Sequence, residues 1–276
     1  MKLPVALTIA GSDSGGGAGI QADLKTFAAL GVHGASVLTA LTAQNTVTVT
    51  AIHDVPPAFI RAQFDAVVPD LQPAAAKTGM LSTPITIATV ARAIRELRVP
   101  NLVIDPVMVA KDDAKLLRDD AVEALRNELL RLATVLTPNL PEAEVLLGRR
   151  IGSLGERRQA ARDLYELGPR AVVLKGGHAE ADAIDVLFDG RHLIELTAER
   201  VPTGNTHGSG CTFSAAIAAG LARGLAIEAA VAEAKAFITE AIRHALEVGA
   251  GHGPVNPAWA LNAGVREASA RSGPAS

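Results

Sequence analysis

The sequence predicts an α/β fold of three layers (α/β/α), with a mostly parallel central sheet carrying helices on both faces. Three observations predict it. Short apolar, β-branched runs alternate with segments of helical length and pattern. Most of these runs end in loops rich in Gly, Asp, Asn or Lys. No internal repeat or linker divides the 276 residues, so one domain over 1–276 is expected.

Val5 to Ala10 is an apolar run, read as a buried strand. Five glycines in the nine residues from Gly11 to Gly19 make the next stretch a loop. Ile20 to Leu30 is an amphipathic helix, with Gly31 as its stop. Val32 to Thr50 reads as one or two strands broken near Gln44-Asn45, and Pro56-Pro57 opens a helix to about Val68. Ala74 to Lys77 is a strand, Thr83 to Leu97 a helix, and Leu102 to Ile104 a strand ending at Asp105-Pro106. Asp119 to Leu130 is a helix with acids in its first turn, as the helix dipole favours. After a strand at Ala133 to Leu136, Thr137-Pro138-Asn139 turns into a short helix ending near Gly148. Ser153 to Leu167 is a helix and Ala171 to Leu174 a strand that runs into Lys175-Gly176-Gly177-His178. Ala183–Phe188 and His192–Leu196 flank Asp189-Gly190, a hairpin signal. A glycine-rich turn at Thr206–Cys211 enters an Ala-rich helix, and a last helix spans about Ile227 to Leu246. The small, polar tail from Ser269 is expected to fray.

Composition narrows the function. A net charge of −3 without a long basic or acidic run argues against nucleic acid and membrane surfaces as partners. A single cysteine excludes an intramolecular disulfide and a multi-Cys zinc site. The N-terminus reads directly into a strand, without signal-peptide features, and no uncharged apolar run reaches membrane-spanning length, so a cytoplasmic protein is expected.

In parallel sheets, ligands bind beyond the carboxyl ends of the strands. The loops after Ala10, Lys77, Ile104, Leu136 and Leu174 should therefore converge. The Thr206–Cys211 turn is a natural anion site, because a helix start presents unpaired N–H groups and a positive dipole end. Gly208 and Gly210 can take backbone angles a Cβ forbids. Cys211 at that terminus is expected to have a lowered pKa and to be a base or nucleophile. Asp105 is a carboxylate at a strand end, fit for a metal or a substrate hydroxyl, or for a turn cap. Asn139 and Glu142 share one face of a helix start and could hold Mg²⁺ or form a capping box. Lys175 could neutralise phosphate. Gly17-Ala18-Gly19-Ile20-Gln21-Ala22 matches a loose dinucleotide fingerprint, but no acid lies between Asp23 and Asp54 to take a ribose. A P-loop and a Gly-x-Ser-x-Gly elbow are both missing, so the set suggests phosphoryl transfer by positioning and charge.

Ala10-Gly11-Ser12-Asp13-Ser14-Gly15-Gly16-Gly17-Ala18-Gly19-Ile20-Gln21-Ala22-Asp23 resembles the opening of hydroxymethylpyrimidine/phosphomethylpyrimidine kinases. So do Lys77-Thr78-Gly79-Met80, Asp105-Pro106-Val107-Met108-Val109-Ala110-Lys111, Thr137-Pro138-Asn139-x-x-Glu142, Lys175–His178, Thr206–Cys211 and Gly251–Asn256. The resemblance spans roughly residues 5–260 and implies a ribokinase-like fold. It implies an ATP- and Mg²⁺-dependent kinase of thiamine biosynthesis that phosphorylates 4-amino-5-hydroxymethyl-2-methylpyrimidine and then its monophosphate. It also implies a homodimer, and leaves a monovalent-cation requirement open. By resemblance Cys211 stands where related kinases place an Asp base, with Gly208 and Gly210 beside it. Gln44, Gly11, Asp23, Met80 and Val107 would form the pyrimidine pocket. Lys175, Asn139, Thr206, His207 and Ser209 would serve the nucleotide, and Glu142, Asn139 and Asp105 the metal. Asp112-Asp113 departs from the family's usual small residues, and 109–116 is read as a flap. Pyridoxal or pyridoxine kinase and a non-catalytic pyrimidine sensor are the alternatives.

Overall fold

A computed structural model describes residues 3–108, 117, 119–177 and 183–259. The stretch 109–116, expected to be a flap, His178 and the tail from Ser269 lie outside the described residues.

The strands are β1 (Val5–Asp13), β2 (His33–Gln44), β3 (Val49–Asp54), β4 (Ala75–Thr78), β5 (Leu102–Ile104), β6 (Val135–Leu136), β7 (Val172–Leu174), β8 (Asp185–Phe188) and β9 (Leu193–Leu196). They form one nine-stranded sheet in the order β3-β2-β1-β4-β5-β6-β7-β8-β9. Pairing is parallel from β2 through β7 and antiparallel for β3, β8 and β9. The chain winds outward from β1 in one direction and then returns to β4 on its other side. That reversal places a crevice beyond the carboxyl ends of β1 and β4, where doubly wound sheets bind ligands.

The helices are α1 (Gly19–Ala29), α2 (Pro57–Leu71), α3 (Pro84–Glu96), α4 (Asp119–Ala124), α5 (Leu140–Leu147), α6 (Leu154–Tyr165), α7 (Ser209–Ala222) and α8 (Ile227–Arg243). The period-two alternation of the buried strands splits the core between two faces. Leu7, Ile9, Leu102, Ile104, Val172 and Leu174 pack with residues of α2 to α6. Ala6, Ala75, Val103, Val135 and Val173 pack with α1, α7 and α8. Small residues let α7 lie close to its neighbours: a Cβ on Gly220 would come within 2.9 Å of Ala230 Cβ on α8.

The expected elements appear, with three differences. β1 continues through Gly11–Asp13, past a register shift between Ala10 and Ser12, because Asp13 keeps pairing with Thr42 on β2. The helix expected over Asp119–Leu130 changes form, passing through a π turn at Leu125–Leu129 and a 3₁₀ turn at Leu130–Leu132. The last helix ends at Arg243 rather than near Leu246, where the Leu246 N–H turns away to the Pro254 carbonyl.

Candidate active site

The loops at the carboxyl edge enclose a cavity of about 590 Å³. Gly11–Asp13 of β1, Gly19, Thr42 and Gln44 of β2, and Met80 line one end, and Val107, whose N–H donates to the Asp105 carbonyl, also borders the cavity. Asp105, Asn139, Glu142 and Lys175 line the other, and Thr206–Cys211 runs between them.

Gly208 shapes the turn. Its φ of +76 is left-handed, and a Cβ there would lie 1.9 Å from the Gly17 carbonyl oxygen. Ser209 N–H donates to Thr206 O at 3.2 Å and Thr212 N–H to Gly208 O at 2.9 Å. Helix geometry leaves the first-turn N–H groups of Gly210 and Cys211 without intrahelical acceptors. A Cβ on Gly210 would sit 3.2 Å from Lys175 Nζ, so the glycine lets the ammonium reach the turn. Helix dipole, free N–H groups and ammonium thus converge on one anion-sized place.

The Cys211 thiol differs from its expectation. Desolvation pushes it up to about 11. Lys77 pulls it down and Asp105 and Asp23 push it further up, so the helix terminus does not produce a resting thiolate. Asp23 also differs, because it does not line the cavity. It lies on the inward face of α1 at 0% exposure, where both carboxylate oxygens accept from Lys77 Nζ at 2.9 Å and Oδ2 accepts from Thr8 Oγ1 at 2.6 Å. Burial would discharge Lys77, but the Asp23 carboxylate overrules it and holds the ammonium above its usual range. Lys77 was not singled out from the sequence. Its signal is a charged residue closing the apolar run Ala74-Ala75-Ala76.

Asp105, Lys175 and Glu142 form the polar end. Lys175 Nζ donates to Asp105 Oδ1 at 3.0 Å. Burial pulls Lys175 down, and Asp105 and Glu142 together raise it. Asn139 and Glu142 make the capping box: Glu142 N–H donates to Asn139 Oδ1 at 2.9 Å, and Asn139 N–H to Glu142 Oε2 at 2.8 Å. Asn139 Oδ1 is therefore engaged by the helix. Burial pushes Glu142 up to about 7, against the pull of Lys175 and with the push of Asp105. Among the described residues, no three His, Cys, Asp or Glu side chains cluster as metal ligands. Two carboxylates beside an anion site still fit Mg²⁺, which commonly takes one or two protein oxygens and completes its shell with phosphate and water.

At the other end Gly11 abuts Met80, whose sulfur would lie 3.2 Å from a Cβ on that glycine. Gln44 Oε1 lies 3.1 Å from Thr42 Oγ1. The His207 imidazole turns to this end, 3.0 Å from Asp13 Oδ2 and 3.4 Å from Gln44 Nε2. Asp13 is a further site residue that sequence reasoning passed over. It accepts N–H bonds from Gly15, Gly17 and Ala18 at 2.8–2.9 Å, and so shapes the glycine loop.

Fold and site together define a ribokinase-like small-molecule phosphotransferase. The phosphomethylpyrimidine kinase family model matches residues 13–256. The chain belongs to that family. It is 54% identical over 256 residues to the hydroxymethylpyrimidine/phosphomethylpyrimidine kinase of Rhizobium meliloti, covering 91% of this chain and 96% of that protein. It is also 54% identical to the thiamine biosynthesis bifunctional protein of Geobacter sulfurreducens; the match takes 91% of this chain and only 51% of that longer protein. A pyridoxal kinase of Bacillus subtilis, solved as an ADP complex, superposes with TM-score 0.88 at 41% identity, covering 94% of this chain and 99% of that one. A phosphomethylpyrimidine kinase of Clostridium difficile superposes with TM-score 0.78 at 42% identity, covering 87% and 100%.

Proposed function

We propose that this chain phosphorylates the hydroxymethyl group of 4-amino-5-hydroxymethyl-2-methylpyrimidine with ATP, and then the monophosphate to the diphosphate. The carrying observation is one cavity lined by Gln44, Met80 and Val107, read as the place of the ring, and by Gly210, Cys211 and Lys175, read as the place of the anion. Substrate would span the two ends, with its hydroxymethyl group toward Cys211. The Gly210 and Cys211 N–H groups and Lys175 stabilise the transferring phosphoryl group. Cys211, once its thiol proton has been lost to solvent, accepts the hydroxyl proton as a thiolate in the first step. The second step attacks with an already ionised phosphate oxygen and needs no such base.

Asp105 and Glu142 would hold Mg²⁺, which when bound offsets nucleotide charge. Thr206 and Ser209, at the cavity wall beside the turn, are proposed as nucleotide contacts. Leu41 on β2, Val47 in the turn that follows it and Ile52 on the edge strand β3 are exposed together, which supports a homodimer. ATP as donor supports a cytoplasmic setting. Among the described residues no helix is long and apolar enough to cross a membrane.

A coupled ATP-turnover assay with the pyrimidine, resolving both products by chromatography, tests the reading. Absence of both products overturns it. The similarity to pyridoxal kinase structures favours a second reading, phosphorylation of pyridoxal-type substrates. Parallel assays on both alcohols rank the two.

A further inference from the structure

Gln44 lies between two groups that together fix which way its amide faces. On one side Thr42 Oγ1 is 2.9 Å from the Ser12 carbonyl oxygen and 3.1 Å from Gln44 Oε1. A hydroxyl has one hydrogen, and a carbonyl can only accept. The hydrogen therefore goes to Ser12, and Thr42 offers Gln44 a lone pair. On the other side His207 Nε2 is 3.0 Å from Asp13 Oδ2 and 3.4 Å from Gln44 Nε2.

Asp13 is an ionised acceptor. Burial pushes its carboxyl up, but the His207 bond and the Ala18 and Gly15 N–H groups hold it below the usual range. His207 Nε2 must then carry a hydrogen. With the amide nitrogen toward His207, two donors meet at one end of Gln44 and two acceptors at the other. Turning the amide over removes both clashes: Oε1 then faces the His207 Nε2–H, which it shares with Asp13, and Nε2 faces the Thr42 lone pair. The imidazole cannot swing away easily. His207 N–H donates to Gly253 O at 3.2 Å, Val255 N–H donates to His207 O at 3.1 Å, and Gly17 packs so close that a Cβ would lie 2.4 Å from His207 Cδ2.

We propose that Asp13 and His207 are positioning residues that lock the Gln44 amide with Oε1 toward His207 and Nε2 toward Thr42, so that the cavity selects an amidine edge. That edge has an amino donor on the His207 side and an adjacent ring-nitrogen acceptor on the Thr42 side. The inference rests on reading the cavity as an aminopyrimidine site. It adds a relay, from a carboxylate in the glycine loop, that dictates the polarity of the edge.

The test compares binding, by calorimetry, of the 4-amino substrate and its 4-oxo analogue, whose carbonyl and ring N–H reverse the donor and acceptor. Wild type should prefer the amino form by roughly 100-fold or more. In His207→Phe nothing holds the amide, and the preference should fall to within about tenfold. In Asp13→Ala no carboxylate holds the hydrogen on His207 Nε2, the other tautomer is allowed, and the preference should fall as well. A merely structural role would weaken both ligands alike and leave the ratio unchanged, which overturns the proposal. Nitrogen NMR of His207 in the wild-type protein supplies a measurement independent of any variant. A hydrogen on Nε2 is expected, and its absence overturns the relay. Failure of the wild type to bind either compound counts against the proposed function, and the imidazole spectrum still decides the relay.

Discussion

The ammonium of Lys175 lies 3.0 Å from Oδ1 of Asp105, joining the ends of β7 and β5 across the β6 between them. Glu142 adds its field to the same ammonium. A divalent cation entering with a nucleotide would compete with Lys175 for these carboxylates. Glu142→Gln should therefore raise the Mg²⁺ concentration for half-maximal rate by about tenfold. An unchanged Mg²⁺ titration would remove Glu142 from the metal site.

The same carboxyl makes the ligand-free protein sensitive to pH. Its value is pushed up to about 7 from 4.5. Below the lower value both folded and unfolded chains hold the proton. Between the two values the unfolded chain releases it first, so stability falls as pH rises through this window and then levels off. Glu142→Gln lacks the transition. Relative to wild type, the variant should gain on the order of 1–3 kcal/mol between pH 4.5 and pH 8, read from urea midpoints. A pH-independent difference would contradict the assignment.

Cys211 rests as a thiol, with its value pushed up to about 11. Only about one molecule in ten thousand is then ionised at pH 7. Iodoacetamide should alkylate Cys211 more slowly at pH 7 than it does an exposed peptide thiol, and the rate should climb toward pH 11. Cys211→Ala should slow the first phosphorylation by about 100-fold or more and the second by much less. Equal losses in both steps would exclude the proton-acceptor role.

Lys77 and Asp23 form a dry ion pair at 0% side-chain exposure, directly under the site. Lys77→Met leaves a buried, unpaired carboxylate and should cost about 3–5 kcal/mol, measured by denaturant unfolding. Lys77→Met combined with Asp23→Leu should cost clearly less than the sum of the two single changes. Additive losses would mean the pair is not coupled.

Gly208→Ala must place a methyl 1.9 Å from the Gly17 carbonyl oxygen at a φ of +76. The turn must shift or the helix start must unwind. Nucleotide affinity should fall by at least about tenfold, while far-UV circular dichroism stays near wild type. Unchanged affinity would show that the turn is not the anion site.

Much of this protein was legible in its sequence. Alternating runs such as Leu102–Ile104 followed by Asp105-Pro106 fixed a parallel sheet with polar strand ends, because hydrophobic period and turn chemistry are local properties. The glycines of Thr206–Cys211 and Gly11–Gly19 announced the turns that line the cavity for the same reason. What tertiary structure decided was the environment of each group. The motif containing Asp23 marked it as a pocket residue, but the helix face it occupies turns it inward to Lys77, 54 residues away. A helix start predicted an acidic thiol at Cys211, and desolvation by surrounding chain reversed the direction. Asn139 and Glu142 carried two readings at one spacing, and packing chose the capping box while leaving both at the cavity wall. The contact between Asp13 and His207 spans 194 residues of sequence, so no local pattern could announce it. Sequence alone determined which chemical groups stand at the strand ends; folding decided which of them meet and how dry their surroundings are, because desolvation and charge pairing act through space rather than along the chain.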